Sequence, residues 1–547
     1  MSNSQRRWII PIVAVSIALL AAPSANAFKA SAPAPSLGTG NLDPETRTGL
    51  YFNLIRNFPA LERAFLYRMP KGGDIHNHLS GAVLAESYIK WASQLNYCVC
   101  TNQKCGNDTQ YTIVTPSQSP PACNSSAGLA PIAQATRKPS FYNAMIDALS
   151  MRNFVSTGPT SGHDHFFDTF GKFGAISGVK TGAMLAEVAS VWHAENVKYI
   201  ELMLSLNGGS QTRALVNGMT FDPTKMQQLF DFIVNNPNFP SYVAGGTSDL
   251  NDAESDMRSE LGCGTRRADP ACNDETIRYV YQINRTQTPI NVFATAVYGF
   301  ELAAADHRML AVNLVAPEDN PVALSDYLTQ MQIIGFLSQV VPGVRISLHA
   351  GELTAVFVPP QDLTFHIRAA VETAGADRIG HGVDIESETN WQQLMTEMAA
   401  EQRLVEICLT SNDFILNVVG SAHPFETYRS YGVPLTLATD DAGVSRIDLT
   451  HEYQRASDTY QLKYTDLKQL ARNSLEYGFL PGESLWASTV PFVRNSACIN
   501  DSPLARRISA PCQSLLSNSE RASQQWELEG DFATFELGVV GGASLAP

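Results

Sequence analysis

Gly72-Gly73-Asp74-Ile75-His76-Asn77-His78-Leu79 is the stretch around which this chain is organised. Read as a strand, it turns His76 and His78 to one side and Asn77 and Leu79 to the other, because successive side chains alternate faces. Two neutral imidazoles on one face make half of a metal site. A lone His-x-His is more often a surface accident, so the reading depends on whether the remaining residues supply the other half.

The chain has 547 residues, 44% hydrophobic and 17% charged, a composition of folded enzymes rather than of disordered or fibrous proteins. A domain of about 150 residues would allow three, but α/β barrels run past about 250 residues as one unit. The net charge of -15 and the lack of a Lys/Arg cluster argue against a nucleic-acid partner. Beyond the N-terminus there is no wholly apolar run of about 20 residues, so no membrane span is expected in the mature chain.

Arg6 and Arg7, the apolar run Trp8 to Ala22, and Ala25-Asn26-Ala27 read as a signal peptide over residues 1–27, cut near Ala27. The expectation is an exported protein, periplasmic or secreted. Export predicts that most of the nine cysteines pair. Cys98, Cys100, Cys105 and Cys123 crowd into one polar segment, in a connectivity that spacing leaves open. Cys263 and Cys272 bracket one loop, and Cys498 and Cys512 another. Cys408, inside the apolar run Leu404 to Leu409, is left as a buried free thiol. A zinc ribbon at Cys98, Cys100 and Cys105 is the weaker reading, because an oxidising compartment favours disulfides.

Residues 28–70 read as a linker and helical extension, with Leu54, Phe58, Leu61 and Phe65 at helical spacing in one helix from Leu50 to Met69. From 71 to 495 strand and helix patterns alternate, interrupted by insertions at about 96–140 and 206–285, and 496–547 is a disulfide-tied tail. Expected strands are Asp74 to Leu79, Val197 to Leu204, Ile290 to Val297, Leu310 to Val315, Val344 to Leu348, Asp377 to Ile379, Leu404 to Leu409 and Pro434 to Ala438. Eight strands with intervening helices predict an α/β fold, a (β/α)8 TIM-type barrel. Phe166, Phe167 and Phe170 either line a cleft or, as aromatics at helical spacing more often do, pack in the core.

The polar residues fall where a barrel does chemistry, at the C-terminal strand ends. Val344-Arg345-Ile346-Ser347-Leu348 runs into His349-Ala350-Gly351-Glu352. Arg378-Ile379-Gly380 ends on His381-Gly382, and Leu437-Ala438-Thr439 on Asp440-Asp441. Singly, His381 reads as a packed core imidazole and Asp440-Asp441 as a helix cap. Together with His76 and His78 they populate four of eight strand ends. Three imidazole nitrogens (His76, His78, His349) and one carboxylate (Asp440) suit one Zn2+ per chain, which lowers the pKa of a bound water toward neutrality. His381 could take that water's proton or hold its orientation and charge. Glu352 reads as a proton shuttle, and Asp441 as a hydrogen-bonding group facing the pocket.

These motifs resemble the adenosine deaminase family of metal-dependent barrels. The resemblance rests on His76-Asn-His78-Leu-Ser-Gly81, His349-Ala-Gly-Glu352, Gly380-His381-Gly382, Ser411-Asn412 and Thr439-Asp440-Asp441, and spans residues 50–480. Met69-Pro70-Lys71-Gly72, the Cys-bearing insertion and Asn196-Val-Lys-Tyr-Ile-Glu201 are similar to its secreted growth-factor branch. The resemblance implies zinc on His76, His78, His349 and Asp440, and Glu352 protonating N1 of a purine nucleoside. It implies His381 as the base orienting the attacking hydroxide, Asp441 bonding N7, and adenosine converted to inosine and ammonia. It also points to a homodimer through the helix around Leu54 to Phe65.

Two positions depart from the family. Ala316 stands where a glycine usually offers its amide to N3, and Ser80 where an aspartate often bonds the ribose. Arg446, after Asp441, would meet either a substrate phosphate or a carboxylate at the barrel rim. The expected substrate is adenosine or 2'-deoxyadenosine. The alternatives are a zinc amidohydrolase or deaminase acting on a related purine or nucleotide or on another exported amine or amide, or a non-catalytic growth-factor-like nucleoside-binding protein.

Overall fold

The computed structural model describes residues 42–116, 122–156, 160–272 and 276–541, so the signal-type segment lies outside the described residues. Eight strands form one sheet in sequence order: β1 (Gly72–His78), β2 (Val197–Leu204), β3 (Thr276–Asn284), β4 (Met309–Val315), β5 (Arg345–Ala350), β6 (Arg378–His381), β7 (Leu404–Ile407) and β8 (Leu435–Leu437). All neighbours pair in parallel. The ring closes where Asn77 bridges Asp440: His78 N–H donates to Asp440 O (3.1 Å) and Asp440 N–H to His76 O (3.0 Å). The result is the expected TIM-type barrel, closed by two segments that both carry site residues.

The third strand is not the expected one. Ile290 to Val297 belongs to helix α1 (Pro289–Ala305), which opens on Pro289 and buries eleven residues from Ile290 to Leu302. A helix buried nearly all round shows an unbroken apolar run, which periodicity cannot tell from an interior strand. The real strand, Thr276-Ile-Arg-Tyr-Val-Tyr-Gln-Ile-Asn284, lies inside the stretch read as an insertion at 206–285. The rest of that stretch holds the helices Gly208–Leu215, Met226–Val234 and Phe239–Glu260 and the Cys263–Cys272 disulfide.

The N-terminal helix is two helices, Pro44–Ile55 and Pro59–Arg68, because Pro59 cannot continue a helix and instead starts one. Of the four residues expected to pack, only Phe65 is buried, alongside Phe52, Ile55 and Leu66; Leu54, Phe58 and Leu61 are exposed. The tail is more than disulfide-tied loops. After Cys498–Cys512 it forms the helix Glu520–Val540, whose Glu529 and Glu536 pair with Arg472 and Lys468. The insertion after β1 carries Cys98–Cys123 and Cys100–Cys105, and Cys408 is free and buried. No helix among the described residues is long and apolar enough to cross a membrane.

An ideal Cβ placed on Gly299 of α1 would lie 2.5 Å from Tyr281 Cδ1 of β3. Gly to Ala within a helix ordinarily gains about 1 kcal/mol. Here Gly299→Ala should carry the opposite sign, a loss of about 1–3 kcal/mol from overpacking, read as a lower urea midpoint at unchanged slope.

Candidate active site

The mouth of the barrel is built by backbone turns that ordinary residues rarely make. Ala316 after β4 (φ +83°), His381 ending β6 (φ +67°) and Asp440 after β8 (φ +58°) all occupy the left-handed region, each costing about 1–3 kcal/mol. Gly351, after β5, has φ +74°. Strain of this kind persists only where surrounding contacts over-determine it, and it gathers here at the ends of three strands, the glycine at the fourth being free of it. The departure at Ala316 thus has a physical reading: a glycine takes this φ without strain, an alanine does not.

Two close approaches need a missing Cβ. An ideal Cβ at Gly81 would fall 1.5 Å from Asp441 Oδ1, and one at Gly380 would fall 2.6 Å from His76 Cε1. Gly81 therefore admits Asp441 to the pocket, and Gly380 admits the His76 ring beneath it.

All nine residues singled out in the sequence come together. His78, Ser80, Ala316, His349, Glu352, Asp440 and Asp441 line one cavity of about 290 Å³, and His76 and His381 are buried against it. This is the lower end of ligand-pocket volumes, about 300–1,000 Å³, which suits a small molecule. The remaining wall is largely apolar: Phe166, Phe167 and Phe170 from the helix Gly162–Ser177, with Val315, Pro317 and Ile415. The phenylalanines expected to be core therefore also form the cleft. Arg446 does not enter it, because it forms a two-pronged ion pair with Glu86 (2.9 Å each).

The donor atoms fit a divalent cation. His349 Nε2 lies 3.1 Å from His76 Nε2 and 3.2 Å from His78 Nε2, while Asp440 Oδ1 lies 3.5 and 3.3 Å from the same two nitrogens. Ligands about 2.0–2.1 Å from a tetrahedral ion are separated by about 3.3–3.4 Å. The far nitrogen of each ring is engaged: His76 Nδ1 with Glu406 (2.5 Å), His78 Nδ1 with the Gln282 carboxamide (2.6 Å), and His349 Nδ1 with Asn313 Oδ1 (2.8 Å). Such partners hold ligand rings in place. Asp440 Oδ1 is buried without a hydrogen-bond donor, and Oδ2 accepts from Ser411 (2.6 Å). His381 also falls among donor atoms within 4.8 Å of one another. The imidazole distances select His76, His78 and His349, leaving His381 beside the ion position.

Charge follows from burial. Burial alone would lower His76, but Asp440 and Glu406 raise it to about 10, so the protein groups by themselves trap a proton there. A cation between the rings supplies the same positive charge. Burial, then the neighbouring imidazoles, push His349 well below its usual value. Burial pushes His381 down to about 3, leaving it neutral. Burial and the Asp440 charge raise both Glu352 and Asp441 well above the carboxylate range. Glu352 Oε1 and Asp441 Oδ1 are buried with no hydrogen-bond partner. Two such carboxyl groups on one small cavity are arranged to meet polar atoms of a ligand.

Glu318, two residues beyond Ala316, was not singled out in the sequence, yet it organises the turn bearing Glu352. Its carboxylate accepts from Gly351 N–H (3.1 Å) and Glu352 N–H (3.0 Å) and pairs with His366 Nδ1 (2.6 Å). The carbonyls of the same turn accept from the loop after His381: Gly382 N–H to Ala350 O, and Val383 and Asp384 N–H to Gly351 O. Glu406 was legible in principle, as a lone charge in the otherwise apolar Leu404-Val405-Glu406-Ile407. It also pairs with Arg378, which in turn pairs with Glu201. Replacing such a partner typically costs 10- to 100-fold in metal affinity, on the order seen for ligand-orienting carboxylates. Glu406→Gln should show that loss in a competitive chelator titration, with the fold retained by circular dichroism.

Residues 266–486 match the family model described as adenosine deaminase. Among curated proteins, the adenosine deaminases of Escherichia coli O1:K1 and of Escherichia coli strain SE11 are each 36% identical over 142 residues, 26% of this chain and 39% of theirs. The chain thus spans about two fifths of the length of the curated relatives it matches. Among solved structures, an Arabidopsis N6-mAMP deaminase is similar at 19% identity and TM-score 0.48, covering 76% of this chain and 95% of that one. The matched region holds six of the eight barrel strands, β3 to β8, and with them His349, Glu352, His381, Asp440 and Asp441. Residues 266–486 of this chain are an adenosine deaminase family domain.

Proposed function

We propose that the chain is an exported, zinc-dependent deaminase that hydrolyses the 6-amino group of adenosine or 2'-deoxyadenosine to give the inosine product and ammonia. The observation that carries this reading is the pairing of two buried, unpartnered carboxyl oxygens, Glu352 Oε1 and Asp441 Oδ1, on the cavity that also holds the metal-type donor set. A purine placed with N1 at Glu352 and N7 at Asp441 turns C6 toward that set. Zn2+ on His76, His78, His349 and Asp440 would lower the pKa of a water and supply a nucleophile near neutral pH.

The chain's own groups do the proton work. Burial, then the Asp440 charge, raises the Glu352 carboxyl well above the ordinary carboxylate range, which strengthens its hold on the proton that a shuttle passes on. Glu352 takes the first proton of the attacking water and delivers it to N1 as the C6–O bond forms and the C6=N1 pair moves onto N1. The ionised Glu352 then takes the second oxygen-bound proton and passes it to the amino nitrogen. The C6–N bond breaks, ammonia leaves and C6=O forms. His381 lies beside the nucleophile to direct it. The Phe166, Phe167 and Phe170 wall excludes water from the ring, Ser80 lies where it can meet a ribose hydroxyl, and Ala316 lines the N3 side.

The pocket favours a nucleoside over a nucleotide. Among its described lining residues there is no Lys or Arg, three carboxyl groups are present (Glu352, Asp440 and Asp441), and Arg446 is committed to Glu86. A phosphate would find no cationic side chain to pair with among those residues. Every group the chemistry needs is in place, which weighs against a non-catalytic binding protein. The disulfides at Cys98–Cys123, Cys100–Cys105, Cys263–Cys272 and Cys498–Cys512 support export to an oxidising compartment. The exposed Leu54, Phe58 and Leu61 support a homodimer through the N-terminal helices.

Purified protein should release ammonia from adenosine, with kcat/KM about 10²-fold above that for AMP. Absence of ammonia from adenosine, 2'-deoxyadenosine, adenine, AMP and guanosine, with metal bound, overturns the assignment. Glu352→Gln should lower kcat by about 10²- to 10⁴-fold while the bound metal stays at one per chain.

A further inference from the structure

Two residues outside the cavity wall bear on what His381 does. His381 Nδ1 lies 3.0 Å from Asn412 Nδ2, on the helix Leu409–Leu416, and Asn412 Oδ1 lies 3.1 Å from His423 Nε2. His423 Nδ1 receives a hydrogen bond from the backbone N–H of Phe425 at 3.2 Å. All three side chains are buried: 0% exposed for His381 and Asn412, and 3% for His423. His381 Nε2, on the side away from this chain of contacts, is buried without a protein partner.

Positions of imidazole protons and amide orientations are usually open choices, but a backbone N–H can only donate. Phe425 N–H therefore makes His423 Nδ1 an acceptor. In a neutral ring the proton then sits on Nε2, and burial keeps His423 neutral, its pKa lowered to about 3. His423 Nε2–H donates to Asn412, which must present Oδ1 to it. The Asn412 NH2 group then faces His381 and donates to Nδ1. A neutral His381 is left with its proton on Nε2. Reversing any link sets two donors against each other, back to the Phe425 amide. One contact pulls the other way. An ionised Glu352, with Oε1 3.5 Å from His381 Nδ1, would favour a proton there. That separation is too long for a good hydrogen bond, and the Asn412 NH2 at 3.0 Å already fills the lone pair.

We infer that Asn412 and His423 are positioning residues that lock His381 as its Nε2–H tautomer, so that His381 donates a hydrogen bond to the attacking oxygen instead of taking its proton. This deepens, and rests on, the deaminase reading. It agrees with the shuttle scheme, in which both protons of the water pass through Glu352, and it gives His381 the part of a preorganised donor to an oxygen bearing negative charge. Of the two roles the sequence allows for this imidazole, base or orienting group, the relay selects the second.

Asn412→Asp gives the test its sign. The aspartate is isosteric, still accepts from His423 Nε2–H, and now accepts from His381 as well, which moves the His381 proton to Nδ1 and exposes a bare Nε2. A donor role predicts a fall in kcat of about 10²- to 10³-fold, the usual consequence of losing one such donor, with KM and metal content unchanged. If His381 is a base, the same variant should keep or raise kcat, and a kcat within threefold of the parent overturns the inference. Imidazole ¹⁵N spectra of metal-loaded protein supply a readout independent of turnover. The parent should show the Nε2–H pattern at His381, and Asn412→Asp the reverse; an Nδ1–H pattern in the parent overturns the relay. His423→Phe, which frees the Asn412 amide to turn, should show both tautomers and a fall in kcat of about tenfold, and serves if Asn412→Asp does not fold. A parent that releases no ammonia sinks the deaminase reading while leaving the spectral test standing.

Discussion

The constraint on which the rest of this structure depends is the approach of His349 Nε2 to His76 Nε2 (3.1 Å) and to His78 Nε2 (3.2 Å), with a carboxylate oxygen 3.3–3.5 Å from the latter two. With Nδ1 of His76 and of His349 donating to Glu406 and Asn313, neutral rings would set their Nε2 lone pairs against each other at 3.1 Å. Either a proton or a metal ion must sit among them. Each ring is pinned from behind by Glu406, Gln282 or Asn313, and the carboxylate by Ser411, so the donors do not swing apart when the centre changes. The barrel closes through the same residues, because the backbone of His76 and His78 pairs with that of Asp440.

The second feature is the cost stored at the mouth. Ala316, His381 and Asp440 adopt a left-handed backbone conformation that costs a non-glycine residue free energy, and buried polar contacts hold the side chains of His381 and Asp440. Glu318 ties the turn bearing Glu352 from one side, and the amides after His381 tie it from the other. The groups proposed to move protons and to direct the nucleophile are thus held as one unit, which is what positioning for catalysis requires. The Phe425, His423, Asn412 and His381 sequence extends this logic from distance to proton placement.

Much of this was readable from residue order. Strand ends carrying His, Glu and Asp marked both the barrel and its chemical face, since polar residues terminating apolar runs have few structural reasons to recur at one end. The third strand was not readable. In Ile290 to Val297 a helix buried nearly all round imitates a strand, and the true strand sat next to helices and a disulfide loop that looked like an insertion. The N-terminal face was misjudged for a related reason: Leu54, Phe58 and Leu61 keep helical spacing, but the break at Pro59 turns a different set of residues inward.

By itself the sequence determined which atoms are available: the imidazoles and carboxylates, the glycines that let them approach, and the cysteines suited to an oxidising compartment. It could do so because those chemistries are local, carried by residue type and short spacing. Only the tertiary structure decided which nitrogen of each ring faces the centre, that Arg446 is spent on Glu86, that Phe166, Phe167 and Phe170 wall the cavity, and that a backbone amide at Phe425 sets the proton on His381. These are relations between residues tens to hundreds of positions apart. Hydrogen-bond direction, unlike residue identity, exists only once the partners have been brought into contact.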